Sequence, residues 1–334
     1  MRPPPVTPNP TAAILRMLHG AEDHLSGQDI CRSLGVSRTA VWKHIGTLRN
    51  LGYQITGSPH RGYRLDSAPN APLALEVIPR LKTKRFGREL LFLPEIDSTN
   101  RHLAWLADRG EPEGTVVVAE KQTGGRGRMD RAWFSPPDAN LYFSILLRPD
   151  IPPQRVPSLS LAIGLGVLRA LRRLFPGLEV AIKWPNDLFS GGRKVAGILC
   201  EMQSEVDRVH YVIVGIGMNV NQSEADLPAV LRPIATSLRD ITGRELSRPA
   251  LLAEILLQLE MVYDRWRVTG LEPLLAELMK YSLLQGREVT VACEGDTVCG
   301  TVRGLSPTGA LILQTGGSHR REILSGDVHV KEIR

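Results

Sequence analysis

Residues 183–197 read Lys183-Trp184-Pro185-Asn186-Asp187-Leu188-Phe189-Ser190-Gly191-Gly192-Arg193-Lys194-Val195-Ala196-Gly197. Apolar runs at 180–182 and 195–199 flank the Ser-Gly-Gly turn, so the pattern predicts two strands that return on each other. Asp187 can accept hydrogen bonds from the N–H groups of a neutral polar ring, and Lys194 offers a mobile cation to a carboxylate or phosphate. The alternative is an ordinary surface ion pair between these two side chains, because such pairs are common and weak.

A loop rich in glycine and arginine lies upstream, between the apolar run 115–119 and the strand-like segment 140–147. It reads Gly124-Gly125-Arg126-Gly127-Arg128, and Arg131 and Trp133 follow. Glycines let the backbone approach an anion closely, and arginines supply bidentate donors to phosphate. The loop matches neither the P-loop nor the complete G-x-G-x-x-G pattern. Taken alone, it also fits a flexible, solvated turn.

Two further motifs place polar side chains at the end of an element. Asp97-Ser98-Thr99-Asn100 precedes the helical run 101–107, and all four residue types are good helix caps. Gly215-Ile216-Gly217-Met218-Asn219 ends a strand-like run, where the glycines leave space for a flat ring beside the Asn219 amide. The alternative for the second motif is a buried strand that ends in a structural asparagine.

The length and composition limit the class of protein. The chain has 334 residues, enough for two or three domains, and its 43% hydrophobic content is typical of folded globular proteins. No apolar run reaches the length of a membrane span, and the Met-Arg-Pro-Pro-Pro start lacks the apolar core of a secretory signal. We therefore expect a cytoplasmic protein with no membrane partner.

The positive charge is concentrated at the N-terminus, in a region with the pattern of a helix-turn-helix. Residues 1–66 hold eight Lys/Arg against four Asp/Glu, so 8 − 4 = +4 of the +6 net charge lies in one fifth of the sequence. Caps at Ser26 and Ser37 predict the second and third of three short helices. Val41, Ile45 and Leu48 form a core-facing stripe on the third helix, so its opposite face is free to contact DNA.

Two strand-like pieces, 53–56 and 62–65, follow the helices and resemble the wing of a winged helix. The candidate DNA contacts are Arg38, Thr39, Trp42 and Lys43 on the third helix and His60 and Arg61 in the wing. A helical dimerisation module that never meets DNA is the alternative.

Taken together and in this order, the four motifs resemble those of the biotin protein ligase family. With the N-terminal region, the chain resembles the bifunctional members that also act as biotin operon repressors. The resemblance spans nearly the whole chain. It implies an α+β fold with three parts: an N-terminal winged helix-turn-helix, a central mixed-sheet domain like that of class II synthetases, and a C-terminal SH3-like β-barrel. Short β-like runs after residue 284, separated by turns, fit the last part.

The composition and the resemblance place the domain boundaries. Residues 1–10, with five prolines, are predicted to be a disordered lead-in. The predicted order is then 11–66 for the winged helix-turn-helix, 67–82 for a linker, 83–282 for the biotin- and ATP-binding domain, and 283–334 for the SH3-like domain.

The resemblance also implies site residues, which we name by their positions here. The implied biotin contacts are Ser98, Thr99, Gln122, Gly125, Arg126, Arg128, Asp187 and Lys194. The implied ATP contacts are Arg128, Arg131, Trp133, Asn186 and Asn219. Lys194, Arg128 and Asp187 are expected to act in catalysis, and no residue is predicted to ligate a metal.

The implied reaction is carboxylate activation. Biotin and ATP form biotinyl-5′-adenylate, with Mg²⁺ held mainly by the phosphates, and a lysine of a biotin carboxyl carrier protein, a subunit of acetyl-CoA carboxylase, then displaces AMP. Operator DNA and a second copy of the chain are the other implied partners. A biotin-sensing transcriptional regulator without ligase activity is the alternative. A lipoate ligase is a weaker one, because it is not expected to carry the winged helix.

One segment departs from the family pattern. Repressor-type relatives often continue the loop as Gly-Arg-Gly-Arg-Arg-Gly-Arg, whereas this chain has Met129 and Asp130 in place of an arginine and a glycine. The loop is therefore less positive, and aspartate tolerates unusual backbone angles less readily than glycine. We expect the adenylate to escape faster than it would from a fully basic loop.

Overall fold

A computed structural model describes residues 9–293, 296–317 and 319–330. The chain divides into two compact units, residues 1–71 and 72–334. Of the predicted disordered lead-in, residues 1–8 lie outside the described residues. Asn9 and Pro10 begin the first helix, and the Asn9 side chain accepts a hydrogen bond from the Thr11 N–H at 3.0 Å.

The first unit is a winged helix-turn-helix, as predicted. Helices α1 (Pro10–His19), α2 (Gly27–Leu34) and α3 (Arg38–Asn50) precede the antiparallel strands β1 (Gln54–Ser58) and β2 (Gly62–Ser67). The Ser26 and Ser37 side chains cap α2 and α3, and Gly35 ends α2 in the left-handed conformation. The fully buried core residues are Ile14, Ile30, Val41, Ile45, Leu48 and Tyr53.

The second unit is built on a seven-stranded mixed sheet. Its strands are β3 (Leu90–Ile96), β4 (Val116–Gln122), β5 (Leu141–Leu147), β6 (Ala181–Lys183), β7 (Asp187–Ser190), β8 (Arg193–Ser204) and β9 (Val209–Met218). They lie in the order β3-β4-β5-β9-β8-β7-β6. Strands β3 and β4 are parallel, and the other neighbours are antiparallel.

Helices cover both faces of this sheet. They are α4 (Ala74–Val77), α5 (Thr99–Ala107), α6 (Val156–Leu174), α7 (Leu238–Thr242), α8 (Arg248–Thr269) and α9 (Leu275–Lys280). Successive strand residues point to opposite faces. Val116 and Val118 therefore join the large core that contains α6 and α8, whereas Val117 joins a smaller cluster with Leu103 of α5.

The stretch 183–197 forms two consecutive hairpins, so the prediction of two strands was one strand short. Lys183 at the end of β6 pairs with Asp187 at the start of β7, and the intervening Trp-Pro-Asn is the turn. Gly191 and Gly192, with φ of 54° and 78°, make the second turn into β8. Strand β7 has four residues, too few for its alternating burial to stand out in the sequence.

The C-terminal part consists of short antiparallel strands, as predicted. Its strands are β10 (Glu288–Cys293), β11 (Asp296–Leu305), β12 (Leu311–Gln314), β13 (Arg320–Ile323) and β14 (Asp327–Val330). The described residues pair them as a sheet in the order β13-β12-β11-β10-β14. Trp184 of the first hairpin turn is buried and donates its indole N–H to the Gly309 carbonyl at 2.9 Å, which joins this sheet to the site.

The segment between the winged helix and the large sheet packs into the second unit. Strand β2 extends to Ser67, and Leu73, Val77 and Leu81 are buried. Within the ranges that the structure describes, no helix is long and apolar enough to cross a membrane.

Candidate active site

A cavity of about 610 Å³ opens in the second unit, at the edge where β8 and β9 meet the glycine/arginine loop. Of the twelve residues predicted to contact biotin or ATP, eleven line it: Ser98, Thr99, Gln122, Arg126, Arg128, Arg131, Trp133, Asn186, Asp187, Lys194 and Asn219. Gly125 lies behind the wall, where a Cβ atom would come within 2.7 Å of Ser135 Oγ. The fold thus gathers residues that span 122 positions of the sequence.

Lys194 and Asp187 form an ion pair inside the cavity, with Nζ 2.8 Å from Oδ1. The Lys194 backbone is fixed, because its N–H donates to the Ile234 carbonyl and its carbonyl accepts from the Thr236 N–H. Asp187 Oδ1 is buried. Although Lys194 Nζ is close to it, the angles of this contact are not those of a hydrogen bond, and no other described residue donates to this oxygen. It can therefore accept an N–H from a ligand.

The glycine/arginine loop is a small hairpin. Gly127 N–H donates to the Arg131 carbonyl at 2.7 Å, and Trp133 N–H donates to the Gly125 carbonyl at 2.9 Å. At its tip, Met129 and Asp130 both have φ of 54°, the left-handed region that favours glycine. The departure from the family pattern therefore lies at two positions whose backbone conformation favours glycine.

The arginines of the loop differ in their environments. Arg126 pairs with Glu201 of β8 at 2.9 Å, and Arg131 pairs with Asp327 of β14. Burial lowers the pKa of Arg128 from its usual value, and the charges of Asp327 and Asp187 oppose this shift. The guanidinium remains charged at neutral pH. It is thus a partly desolvated cation facing the cavity, where its interaction with an anion is strengthened.

Trp133 lies across the strands β8 and β9. A Cβ atom at Gly217 would come within 2.5 Å of Trp133 Nε1, and one at Gly197 would come within 3.1 Å of the ring. Lys194 Nζ lies 5.1 Å from the ring centroid. The space that the Gly215–Gly217 glycines were expected to leave for a flat ring is therefore bordered by the protein's own indole.

Asn100 occupies the space over Gly215, and the sequence interpretation gave this residue no role in the site. A Cβ atom at Gly215 would come within 2.2 Å of its Oδ1. Its amide donates to Glu201 at 2.6 Å, the carboxylate that also holds Arg126. The Asp-Ser-Thr-Asn motif carries no sequence signal for this contact, because Glu201 is about 100 residues away.

The polar end of the cavity is formed by the start of α5 and the end of β4. The Thr99 N–H and hydroxyl both donate to Gln122 Oε1, at 2.9 and 3.1 Å. Ser98 occupies the predicted cap position, but its hydroxyl makes no capping hydrogen bond. The helix start is held instead by Gln122 from the neighbouring strand, which brings three of the predicted biotin contacts together.

The two asparagines predicted to contact ATP are hydrogen-bonded to backbone. Asn186 donates from its side-chain amide to the Ile198 carbonyl at 2.6 Å, which ties the first hairpin turn to β8. Asn219 donates to the Thr236 carbonyl at 3.1 Å. Both line the cavity. Their contacts with a nucleotide stay predictions, whereas their hydrogen bonds to the backbone are present in the structure.

The C-terminal sheet contributes a wall that the sequence did not predict. Gly326, Asp327, Val328 and His329 line the cavity. Asp327, Val328 and His329 belong to β14, and Gly326 precedes it. These four residues reach the cavity only through tertiary packing, so no local sequence pattern marks them as part of its wall.

The six candidate DNA contacts lie in the first unit and are all exposed: Arg38, Thr39, Trp42, Lys43, His60 and Arg61. Trp42 is 64% exposed on α3, which is unusual for a tryptophan. Arg61 in the wing pairs with Asp23 at 2.5 Å. Thr39 and Lys43 project from the face of α3 opposite its buried stripe, and Arg38 is exposed at the start of the helix.

Comparisons with known proteins match all three parts of the chain. Residues 92–219 match the Biotin/lipoate A/B protein ligase family, residues 11–64 match the HTH domain, and residues 285–331 match the Biotin protein ligase C terminal domain. The chain is 40% identical over 308 residues to the bifunctional ligase/repressor BirA of Bacillus subtilis, covering 92% of this chain and 94% of that protein.

Two further relatives agree. The bifunctional ligase/repressor BirA of Escherichia coli is 34% identical over 306 residues, covering 91% of this chain and 92% of its own. The structure of biotin protein ligase from Aquifex aeolicus in complex with biotin and ATP superposes with a TM-score of 0.63 at 32% identity, over 74% of this chain and 100% of that one. The chain therefore belongs to the biotin protein ligase family, among its bifunctional ligase/repressor members.

Proposed function

We propose that this chain is an ATP-dependent biotin protein ligase that also represses transcription through its winged helix. It forms biotinyl-5′-adenylate from biotin and ATP and transfers biotin to a specific lysine of a biotin carboxyl carrier protein. One observation carries the proposal: a single cavity holds the Lys194–Asp187 pair, the Gly/Arg loop and the polar set at the start of α5. Two relatives, aligned over 92% and 91% of this chain, are named as ligase/repressors.

The first step joins two anionic groups, so fixed positive charge is the main catalytic requirement. The biotin carboxylate oxygen attacks the α-phosphorus of ATP, and pyrophosphate leaves with the electron pair of the broken P–O bond. Lys194 and Arg128 stabilise the charge that develops at this phosphate. Asp187 accepts a ureido N–H and, with Ser98, Thr99 and Gln122, fixes the ring. Arg126 contributes a further cation on the biotin side.

The remaining predicted residues serve the nucleotide. Arg131, Trp133, Asn186 and Asn219 line the cavity and are proposed to contact the nucleotide. Mg²⁺ would be held mainly by the phosphates, because it usually keeps several waters and binds through substrate phosphates. It would neutralise phosphate charge.

In the second step the acceptor lysine amine attacks the acyl carbon of the adenylate, and AMP leaves with the electrons of the acyl–oxygen bond. No protein nucleophile takes part.

The domain limits 11–66, 83–282 and 283–334 remain part of this proposal, with 67–82 connecting the first two. The proposed repressor acts as a homodimer on operator DNA, in the cytoplasm.

Transfer of labelled biotin to a purified carrier domain tests the ligase. We expect labelling of one carrier lysine that requires both ATP and Mg²⁺. Isothermal titration with biotin is run in parallel. Tight biotin binding without transfer would support the alternative, a biotin sensor that has lost the ligase reaction.

A further inference from the structure

Asp327 is a carboxylate of the C-terminal sheet that borders the cavity. It begins β14 and pairs in register with Ala292 of β10. The preceding Gly326 is buried, and a Cβ atom there would come within 2.7 Å of Val291 and 2.8 Å of the Ala292 carbonyl. The glycine thus lets β14 start close against β10, which fixes the position of the Asp327 backbone.

The partner of Asp327 is Arg131, the residue that closes the hairpin of the Gly/Arg loop. Two ion pairs bind this loop to other elements in the described structure. Arg126 pairs with Glu201 of β8 on one side, and Arg131 pairs with Asp327 of β14 on the other. Asp327 is 24% exposed and Arg131 66% exposed, so the carboxylate is the fixed member of its pair.

We propose that Asp327 is a positioning residue that holds the Gly/Arg loop closed over the cavity through Arg131 and thereby slows escape of the acyl-adenylate. The inference rests on the proposed ligase function. It assigns to Arg131 a role in loop closure beside its predicted nucleotide contact. The loop of this chain lacks one arginine of the family pattern at Met129, so its closure depends more on the pairs that remain.

The opposite role for the same contact makes a different prediction. If Asp327 merely occupied a cation that ATP phosphates must capture, its removal would free Arg131. ATP would then bind more tightly, and the adenylate would be released more slowly. The sign of the effect therefore separates closure from competition.

The test measures release of preformed labelled adenylate from the full-length protein. Asp327→Asn, Arg131→Ala and the double variant are loaded with labelled biotin and ATP and chased with unlabelled biotin. We expect each single variant to release about three to five times faster than wild type, as for loss of one partly exposed ion pair. The double variant should release no faster than the singles, because both changes break one contact.

Two controls exclude a general effect on the fold. Asp296→Asn removes an exposed ion pair with Arg321 in the same sheet, 2.7 Å long, and should leave release unchanged. Asp327→Glu keeps the charge and should restore release to near the wild-type rate. The melting temperatures of all variants should equal that of the wild type.

Slower release from Asp327→Asn, unchanged release, or additive effects in the double variant would each overturn the proposal. Failure of wild type to form any adenylate would instead reject the proposed ligase function. In that case the closure of the loop is still tested by the dissociation rate of labelled biotin without ATP, which the same variants should increase.

Discussion

Lys194 illustrates how the fold places one charge. Its backbone pairs with Phe189 of β7 and with Ala235, so both edges of the chain at this point are held. Only the flexible side chain is free to move between Asp187 and a ligand anion. Because the backbone is already fixed, bringing the ammonium group of Lys194 to the ligand costs little conformational entropy.

Replacing the Lys194 cation should greatly lower the rate of the first step, adenylate formation. We expect Lys194→Ala to fold normally and to lower single-turnover adenylate formation by at least about a hundredfold, the loss typical of one preorganised charge-stabilising group. Lys121→Ala, which removes a half-buried lysine of β4 that pairs with Glu95 of β3, is the matched control and should retain the wild-type rate. Near-normal adenylation by Lys194→Ala would contradict the assignment.

Lys183 makes stability depend on pH. Burial lowers its pKa below the ordinary value of 10.5, opposed by Asp187 and assisted by Lys194. The unfolded chain therefore binds this proton more strongly than the folded chain does. The resulting loss of stability is full below the folded-state pKa, shrinks as the pH rises towards 10.5 and is absent above it.

Lys183→Met should consequently unfold at a higher temperature than wild type at pH 7, and the difference should shrink as the pH approaches 10.5. Melting temperatures between pH 7 and 10.5 measure this, with Lys121→Met as the control. A variant that is less stable at pH 7 would show that the Asp187 charge outweighs burial. Adenylation should fall in the same variant, because the cavity loses a cation.

At the scale of elements, the Gly/Arg loop carries two left-handed residues at its tip. Met129→Arg with Asp130→Gly restores the family pattern, adding a cation and placing glycine at φ of 54°. We expect slower adenylate release from this variant than from wild type. Asp138→Gly relieves a left-handed aspartate outside the tip and should not change release. Equal rates of adenylate release from the double variant and the wild type would contradict the expectation that Met129 and Asp130 speed this release.

Helix α6 offers a matched pair of glycines. Of Gly164 and Gly166, only Gly164 faces the sheet. A Cβ atom at Gly164 would lie 3.6 Å from Ile198 of β8, an ordinary contact. One at Gly166 would lie 2.9 Å from Leu259 and 3.3 Å from its backbone, so this glycine lets α6 approach α8.

The two alanine variants should therefore shift stability in opposite directions. Gly164→Ala should stabilise the fold by up to about 1 kcal/mol, because glycine is unfavourable within a helix. Gly166→Ala should destabilise it by about 1–3 kcal/mol, because α8 must move. Urea unfolding of both variants measures the difference, and equal effects would contradict the packing described for α6.

At the scale of the whole molecule, two compact units with separate cores should allow one activity to be changed without the other. Trp42→Ala and Lys43→Ala in α3 should weaken binding to a duplex selected from a random pool, and leave biotin transfer at the wild-type rate. Lys43→Ala should also reduce the salt dependence of binding by about one unit in the log–log slope if it contacts a phosphate.

The control for this prediction is Arg16→Ala, an exposed basic residue of α1 outside the candidate contacts. Wild-type binding should strengthen when biotin and ATP are both present, if the adenylate promotes dimerisation. DNA binding that is unaffected by Trp42→Ala and Lys43→Ala would reject these two residues as contacts. Failure of the wild type to bind any duplex would favour a helical dimerisation module that never meets DNA.

The sequence by itself determined the order of parts and, through the family resemblance, nominated twelve candidate residues for the site. Caps and apolar periodicity are local, so the helices of the first unit were predictable from Ser26, Ser37 and the Val41 stripe. The binding motifs are short contiguous strings, and eleven of twelve assigned residues line one cavity.

Tertiary structure alone decided the contacts between distant segments. It placed Asn100 over Gly215, Trp133 over Gly217 and Asp327 against Arg131. It also set Gly166 against α8 and added β7 as a third strand. Each depends on which segments the sheet order brings together. Sheet order arises from burying apolar surface over the whole unit, and no local stretch of sequence encodes it.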